Sequence, residues 1–183
     1  MHYTITGTIG TELDTINNTI ANWNAVVSNK PKWVPGTGGT TIKVVNSIPF
    51  GPCGFAPIGY SQQRLVPLLL ISRDRDCFTP GLILHEMGHV VGLNHEHQRC
   101  DRDTFVDLNY SWWDFLNYNK LCAMGQHNDI YDYSSLMHYG GNISAKASRP
   151  SGRWVGNPNS LGGATLTQTD ISDGLRVLYP VTP

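Results

Sequence analysis

Polar and apolar residues alternate from His2 to Thr6, the period of a short strand. Leu13, Ile16, Ile20, Trp23 and Val27 then recur at steps of three and four. This predicts an amphipathic helix from about Glu12 to Ser28. Thr11-Glu12-Leu13-Asp14 resembles a capping box at its start. Lys30 to Gly39 carries Pro31, Pro35 and several glycines and reads as a loop, and β-branched Thr40 to Val45 as a strand. Prolines and glycines break up Ile48 to Gly59. Leu65 to Ser72 is almost continuously apolar and reads as a buried strand, with Pro67 pushing it toward a sheet edge.

Thr79-Pro80 predicts an N-cap with proline in the first helical position. The helix it opens is apolar over most of its circumference, through Leu82, Ile83, Leu84, Met87, Val90 and Val91, and so is expected to be buried. Gly92 ends it. Beyond Glu96 the pattern is irregular, with a short helix expected near Trp112 to Leu121. Another opens near Thr167-Gln168-Thr169-Asp170 and stops at Pro180.

The 183 residues suit one compact domain, 1–183, with an N-terminal lobe of about 1–95 and a C-terminal lobe of about 96–183. A formal net charge of −1 and the absence of a basic stripe point away from nucleic acid. The longest apolar run is too short to span a bilayer, and no signal-peptide pattern opens the chain at Met1. A monomer is expected. The cysteines, Cys53, Cys77, Cys100 and Cys122, form no C-x-x-C pair, so a cysteine zinc site is disfavoured. Their even number favours two disulfides, and with them secretion to an oxidising, extracellular setting. Three pairings are open, and four buried free thiols are the alternative.

The chemistry concentrates in His85-Glu86-Met87-Gly88-His89-Val90-Val91-Gly92-Leu93-Asn94-His95. On a helix His85 and His89 are one turn apart, about 40° in azimuth, and can grip one ion from the same face. Glu86 projects about 100° round from His85. There it is placed to take a proton from a metal-activated water without being a ligand. Gly92 permits a reversal that returns His95 as a third nitrogen. Three protein ligands with an open fourth position describe a catalytic rather than a structural zinc ion. H-E-x-x-H alone occurs by chance on ordinary helices; the added Gly92 and His95 make chance a poor explanation. Downstream, Met137 would give the ligands an apolar, polarisable floor, and Tyr139 could reach the metal or a developing oxyanion. A core methionine and a surface tyrosine are the plain alternative.

His85 to His95 followed by Ser135-Leu136-Met137-His138-Tyr139 resembles the metzincin clan with its Met turn. Glu96-His97-Gln98-Arg99 and Asp101-Arg102-Asp103 resemble the astacin family of zinc endopeptidases specifically. The resemblance extends from the first strand and helix to Leu166-Thr167-Gln168-Thr169-Asp170 and Leu178-Tyr179. It implies an α/β (α+β) fold with a twisted, mostly parallel sheet and two long helices in the N-terminal lobe. The C-terminal lobe would be irregular, with the active-site cleft between the two. It implies one catalytic Zn2+ held by His85, His89 and His95, with Tyr139 as a further ligand that swings away on substrate binding. Cys53 and Cys77 match the family's shorter bridge, and a Cys100–Cys122 bridge is expected to pin the segment after the third histidine. In the family the mature N-terminus is linked to the glutamate in the position of Glu96, whereas this chain starts almost at its first strand.

Hydrolysis of internal peptide bonds in protein or peptide substrates is therefore expected, with Glu86 as general base and Tyr139 as oxyanion partner. The substrate would pair with a sheet edge, for which Leu65 to Ser72 is the candidate. Rival readings are another metzincin of narrow specificity, a zinc-bearing binding protein with little turnover, and a disulfide-stapled domain with an accidental motif. Arg149 and Arg153 could favour acidic side chains just after the cut. His97 and His138 are read as structural or as supports of the ligands, and His2 and His127 as solvated. Arg99 with Asp101, Arg102 and Asp103 reads as a charge network, and Asn17, Asn109 and Asn142 each begin an N-x-S/T sequon.

Overall fold

The computed structural model describes residues 1–27, 31–48, 52–59, 68–74, 76–109, 115–122 and 130–175. His127, Pro67, Trp112, Leu178 and Pro180, and the sequence expectations that fall on them, lie outside that set. The chain divides into two compact units, Met1–Leu93 and Asn94–Val177.

In the first unit, strands β1 (His2–Thr6), β2 (Val34–Pro35), β3 (Thr40–Val45), β4 (Gly54–Phe55) and β5 (Leu68–Ser72) form one sheet in the order β2-β1-β3-β5-β4. The β1–β2, β1–β3 and β3–β5 pairs are parallel, and β4 runs antiparallel to β5. Helices α1 (Glu12–Val26) and α2 (Pro80–Val90) pack together and complete the mixed α/β arrangement. Ile42, Leu69 and Ile71 from the sheet and Ile16, Trp23, Ile83, Met87 and Val90 from the helices are buried in the core.

Four expectations change here. Leu68–Ser72 is not an edge strand: β3 and β4 flank it, because the two residues Gly54–Phe55 add outside it. Val34–Pro35 forms a strand within the expected loop; two residues ending in proline carry no alternation that a sequence pattern can detect. Thr11 caps α1 without a side-chain hydrogen bond. The Glu12 carboxylate instead accepts from the Ile9 N–H at 2.8 Å and pairs with Arg73 at 2.6 Å. Leu13, on the expected apolar stripe, is 42% exposed.

Thr79 does cap α2: its hydroxyl accepts from the Leu82 N–H at 3.2 Å, and Pro80 occupies the first turn. Gly92 follows with φ 105°, a conformation that side chains disfavour. A Cys53–Cys77 disulfide, with Cα atoms 4.9 Å apart, ties the segment before β4 to the approach to α2.

The second unit has little regular structure, as expected. Two 3-10 turns, Glu96–Gln98 and Arg102–Thr104, lead to β6 (Val106–Leu108), which pairs antiparallel with β8 (Ile143–Ala145). Strand β7 (Tyr131–Asp132) pairs in parallel with β9 (Trp154–Val155). A one-turn helix, α3, spans Phe115–Tyr118, and a π-helical turn spans Asp170–Leu175. Phe105, Val106, Tyr118, Tyr131, Tyr133 and Ile143 form the core. The Cys100–Cys122 disulfide, with Cα atoms 5.0 Å apart, ties the first turns to the chain after α3. Among the described residues no helix is long and apolar enough to cross a membrane.

Candidate metal centre

Helix α2 carries His85 and His89 on successive turns, with ring centroids 4.6 Å apart and planes nearly perpendicular. The reversal at Gly92 is closed by its N–H donating to the His89 carbonyl at 2.9 Å, and by the Leu93 N–H donating to the Gly88 carbonyl. His95 follows three residues after Gly92. One ligand atom from each of His85, His89 and His95 lies within 4.8 Å of the others. Two ligands of a tetrahedral zinc ion, each about 2.0–2.1 Å from it, stand roughly 3.4 Å apart. The three nitrogens are therefore within reach of one ion after small side-chain adjustments, and they leave a fourth position open.

Protonation states suit the same purpose. His89 is buried, and its Nδ1 lies 2.8 Å from the Leu93 carbonyl oxygen. A carbonyl only accepts, so Nδ1 carries the proton and Nε2 keeps a lone pair for a metal. Burial, then the neighbouring His85, push the His89 pKa down to about 3, so the imidazole is neutral at physiological pH.

Glu86 is the misfit on this helix. It is 5% exposed, and burial pushes its pKa up to about 8. Its Oε2 is buried with no hydrogen-bond partner. A buried polar atom left without a partner costs on the order of 1–3 kcal/mol, and more when it is charged. A site that holds a water and a cation would repay it, and the cation would pull the raised pKa back down. Gly54 of β4 packs so tightly on this side chain that a Cβ there would lie 2.4 Å from Glu86 Oε1. The donor set and the orphaned oxygen fit a zinc ion with an adjacent base.

The turn at Ser135-Leu136-Met137-His138-Tyr139 is held by buried polar groups. The Asp170 carboxylate accepts from Ser135 Oγ at 2.6 Å, the Leu136 N–H at 3.1 Å and the Thr167 N–H at 2.9 Å. The Thr167 hydroxyl accepts from the Asp170 N–H, which completes a reciprocal cap. Burial raises the Asp170 pKa, against the pull of these hydrogen bonds. Met137 is buried, and its carbonyl accepts from the Glu96 N–H at 3.0 Å.

Tyr139 stands with its ring centroid 4.5 Å from that of His95 and stacked 4.4 Å from that of His97. His97 is fully buried. It accepts from the Tyr139 N–H at Nδ1 and therefore donates from Nε2 to the Asn117 carbonyl at 3.0 Å. His138 bridges the Tyr131 hydroxyl and the Tyr139 carbonyl, and burial pushes its pKa down to about 4. Both histidines thus act as structural props beside Tyr139.

Arg99 pairs with Glu96 at 3.1 Å and Asp101 at 3.0 Å and donates to the Ile130 carbonyl. Arg102 pairs with Asp103 and donates to the His97 and Tyr118 carbonyls. This is the charge network that the sequence suggested. Arg153 reaches Asp101 at 3.6 Å, and Arg149 lies over the Tyr133 and Trp154 rings. His2 is exposed, as expected. Sequence reasoning missed Gly54, Gln98 (bonded to His95) and the part that Asp170 plays. For Asp170 alone a signal existed, the Thr167-x-x-Asp170 spacing of a cap.

The description of one protein family, the Astacin family of peptidases, matches residues 38–163. Zinc metalloproteinase nas-5 of Caenorhabditis elegans is 31% identical over 158 residues, which are 81% of this chain and 42% of that protein. High choriolytic enzyme 1 of Oryzias latipes is 39% identical over 111 residues, 56% of this chain and 40% of that protein. The chain thus spans less than half the length of these curated relatives. In solved form, High choriolytic enzyme 1, a hatching enzyme zinc-protease, superimposes with a TM-score of 0.74 at 28% identity. The match covers 100% of this chain and 90% of that one. Myroilysin superimposes with a TM-score of 0.60 at 15% identity, a likeness of fold alone.

Proposed function

Since the chain belongs to the astacin family of peptidases, we propose that it is a zinc-dependent endopeptidase that cuts internal bonds of protein substrates. The observation that carries this is the convergence of the His85, His89 and His95 nitrogens beside a buried glutamate with an unpartnered oxygen.

His85, His89 and His95 would hold one zinc ion through neutral imidazoles. A zinc ion supplies a Lewis acid that polarises the scissile carbonyl and makes water acidic enough to react at neutral pH. Glu86 takes the proton of the attacking water at its carboxylate. It then delivers that proton to the leaving amine. Its unpaired Oε2 is available for both halves of the transfer. The Tyr139 hydroxyl would be a further ligand of the ion and would donate to the oxyanion as charge develops. An extended substrate would pair its backbone with the outer side of β4, since β5 is flanked on both sides. The two disulfides support an oxidising, extracellular place of work.

The test is casein cleavage by wild type and Glu86→Ala, with bound zinc measured in both. Wild type should cut and a chelator should stop it. The variant should keep about one zinc ion and lose roughly 10²–10⁴-fold in turnover, the range for a general acid–base group. A variant as active as wild type would remove Glu86 from its role; a wild type without zinc would remove the metal centre.

A further inference from the structure

We propose that Gln98 is a positioning residue for the metal centre, fixing His95 in the tautomer that presents Nε2 to the ion. The inference rests on the zinc reading above. His95 Nδ1 lies 2.7 Å from the Gln98 side-chain oxygen Oε1. An amide oxygen only accepts, so Nδ1 holds the proton and Nε2 keeps its lone pair. His89 reaches the same state through a different acceptor, the Leu93 carbonyl at 2.8 Å. Backbone serves His89 and a side chain serves His95.

The backbone that carries this amide is itself held in place. Gln98 is 6% exposed. Its N–H donates to the His95 carbonyl at 3.1 Å, and its own carbonyl accepts from the Leu121 N–H at 2.8 Å. Leu121 precedes Cys122, whose sulfur is bonded to Cys100, two residues beyond Gln98. Hydrogen bond and disulfide therefore tie Gln98 and Cys100 to the same stretch, Leu121–Cys122. An acceptor carried on a backbone fixed in this way orients the imidazole and raises its basicity, and the partner of a ligating histidine commonly sets metal affinity by 10–100-fold. The spacing of the ligands demands nothing particular at this position, so the role follows from the contact and not from the motif.

The test compares wild type, Gln98→Leu and Gln98→Glu. Each is stripped of metal and titrated with zinc against a chromophoric chelator, and the visible spectrum is recorded with cobalt(II) in place of zinc. Gln98→Leu keeps the bulk and loses the acceptor. Its zinc dissociation constant should rise about 10–100-fold, with altered cobalt absorption and an unfolding midpoint in the metal-free state near that of wild type. Gln98→Glu restores an acceptor and should bind zinc at least as tightly as wild type. Should the leucine variant fail to fold, the glutamate variant against wild type carries the comparison. Equal zinc affinity in Gln98→Leu and wild type would overturn the proposal, as would a glutamate variant that binds weakly. A wild type that took up no zinc would overturn the metal centre and this inference together.

Discussion

Gly54 sets the sharpest constraint at the scale of single residues. Its missing side chain is what lets the Glu86 carboxylate occupy its buried place, since a Cβ would lie 2.4–2.7 Å from Oε1, Cδ and Cγ. Gly54→Ala must displace Glu86 or β4. A misplacement of about 1 Å in a catalytic group costs on the order of 10²-fold. Turnover of Gly54→Ala is therefore expected to fall by about that factor, with zinc content unchanged; steady-state kinetics with metal analysis checks it, and unaltered turnover would show that Glu86 has room to spare. The same scale shows what a sequence can tell. His85, Glu86, His89 and His95 declare themselves because metal chemistry restricts both residue type and spacing. Gln98 and Gly54 do not, because each acts through one contact made in space. Glutamine has no spacing rule, and a glycine in a broken stretch reads only as a turn.

Elements were legible where periodicity was long. The two helices of fifteen and eleven residues repeat their apolar positions often enough to be seen, and Thr79-Pro80 marks the start of the second. Two-residue strands such as β2 and β4 have no period at all. Missing β4 is also what made Leu68–Ser72 look like an edge. The second unit depends on staples in place of long elements: ion pairs from Arg99 and Arg102, and the Cys100–Cys122 bridge, with a sequence separation of 22. Closing a loop of that size restricts the unfolded chain by roughly 3 kcal/mol. The paired replacement Cys100→Ser with Cys122→Ser should lower the unfolding free energy by about that amount, measured by urea denaturation of the metal-free protein. An unchanged midpoint would mean that the ion pairs suffice to hold the segment.

For the whole molecule, the metal is expected to act as a stabilising ligand as well as a reagent. Anything that binds the folded chain and not the unfolded one adds RT ln(1 + [L]/Kd), about 4 kcal/mol at a thousandfold excess over Kd. Zinc should therefore raise the thermal midpoint, and a chelator should return it; a midpoint indifferent to both would deny a folded-state site. The family, the fold class and the three histidines that the fold brings together were readable from the chain, because an eleven-residue pattern of chemically restricted positions survives in one dimension. So was the pairing of the cysteines, once the resemblance to the astacin family was drawn. The order β2-β1-β3-β5-β4, the Arg73–Glu12 pair across 61 residues and the Asp170 carboxylate under Ser135 and Leu136 were not. These depend on which distant segments meet, and that is decided by the packing of the whole chain. The sequence by itself determined what chemistry is present; tertiary structure alone decided which neighbours orient it, since an orienting contact is a distance and a distance between remote residues is not written in their order.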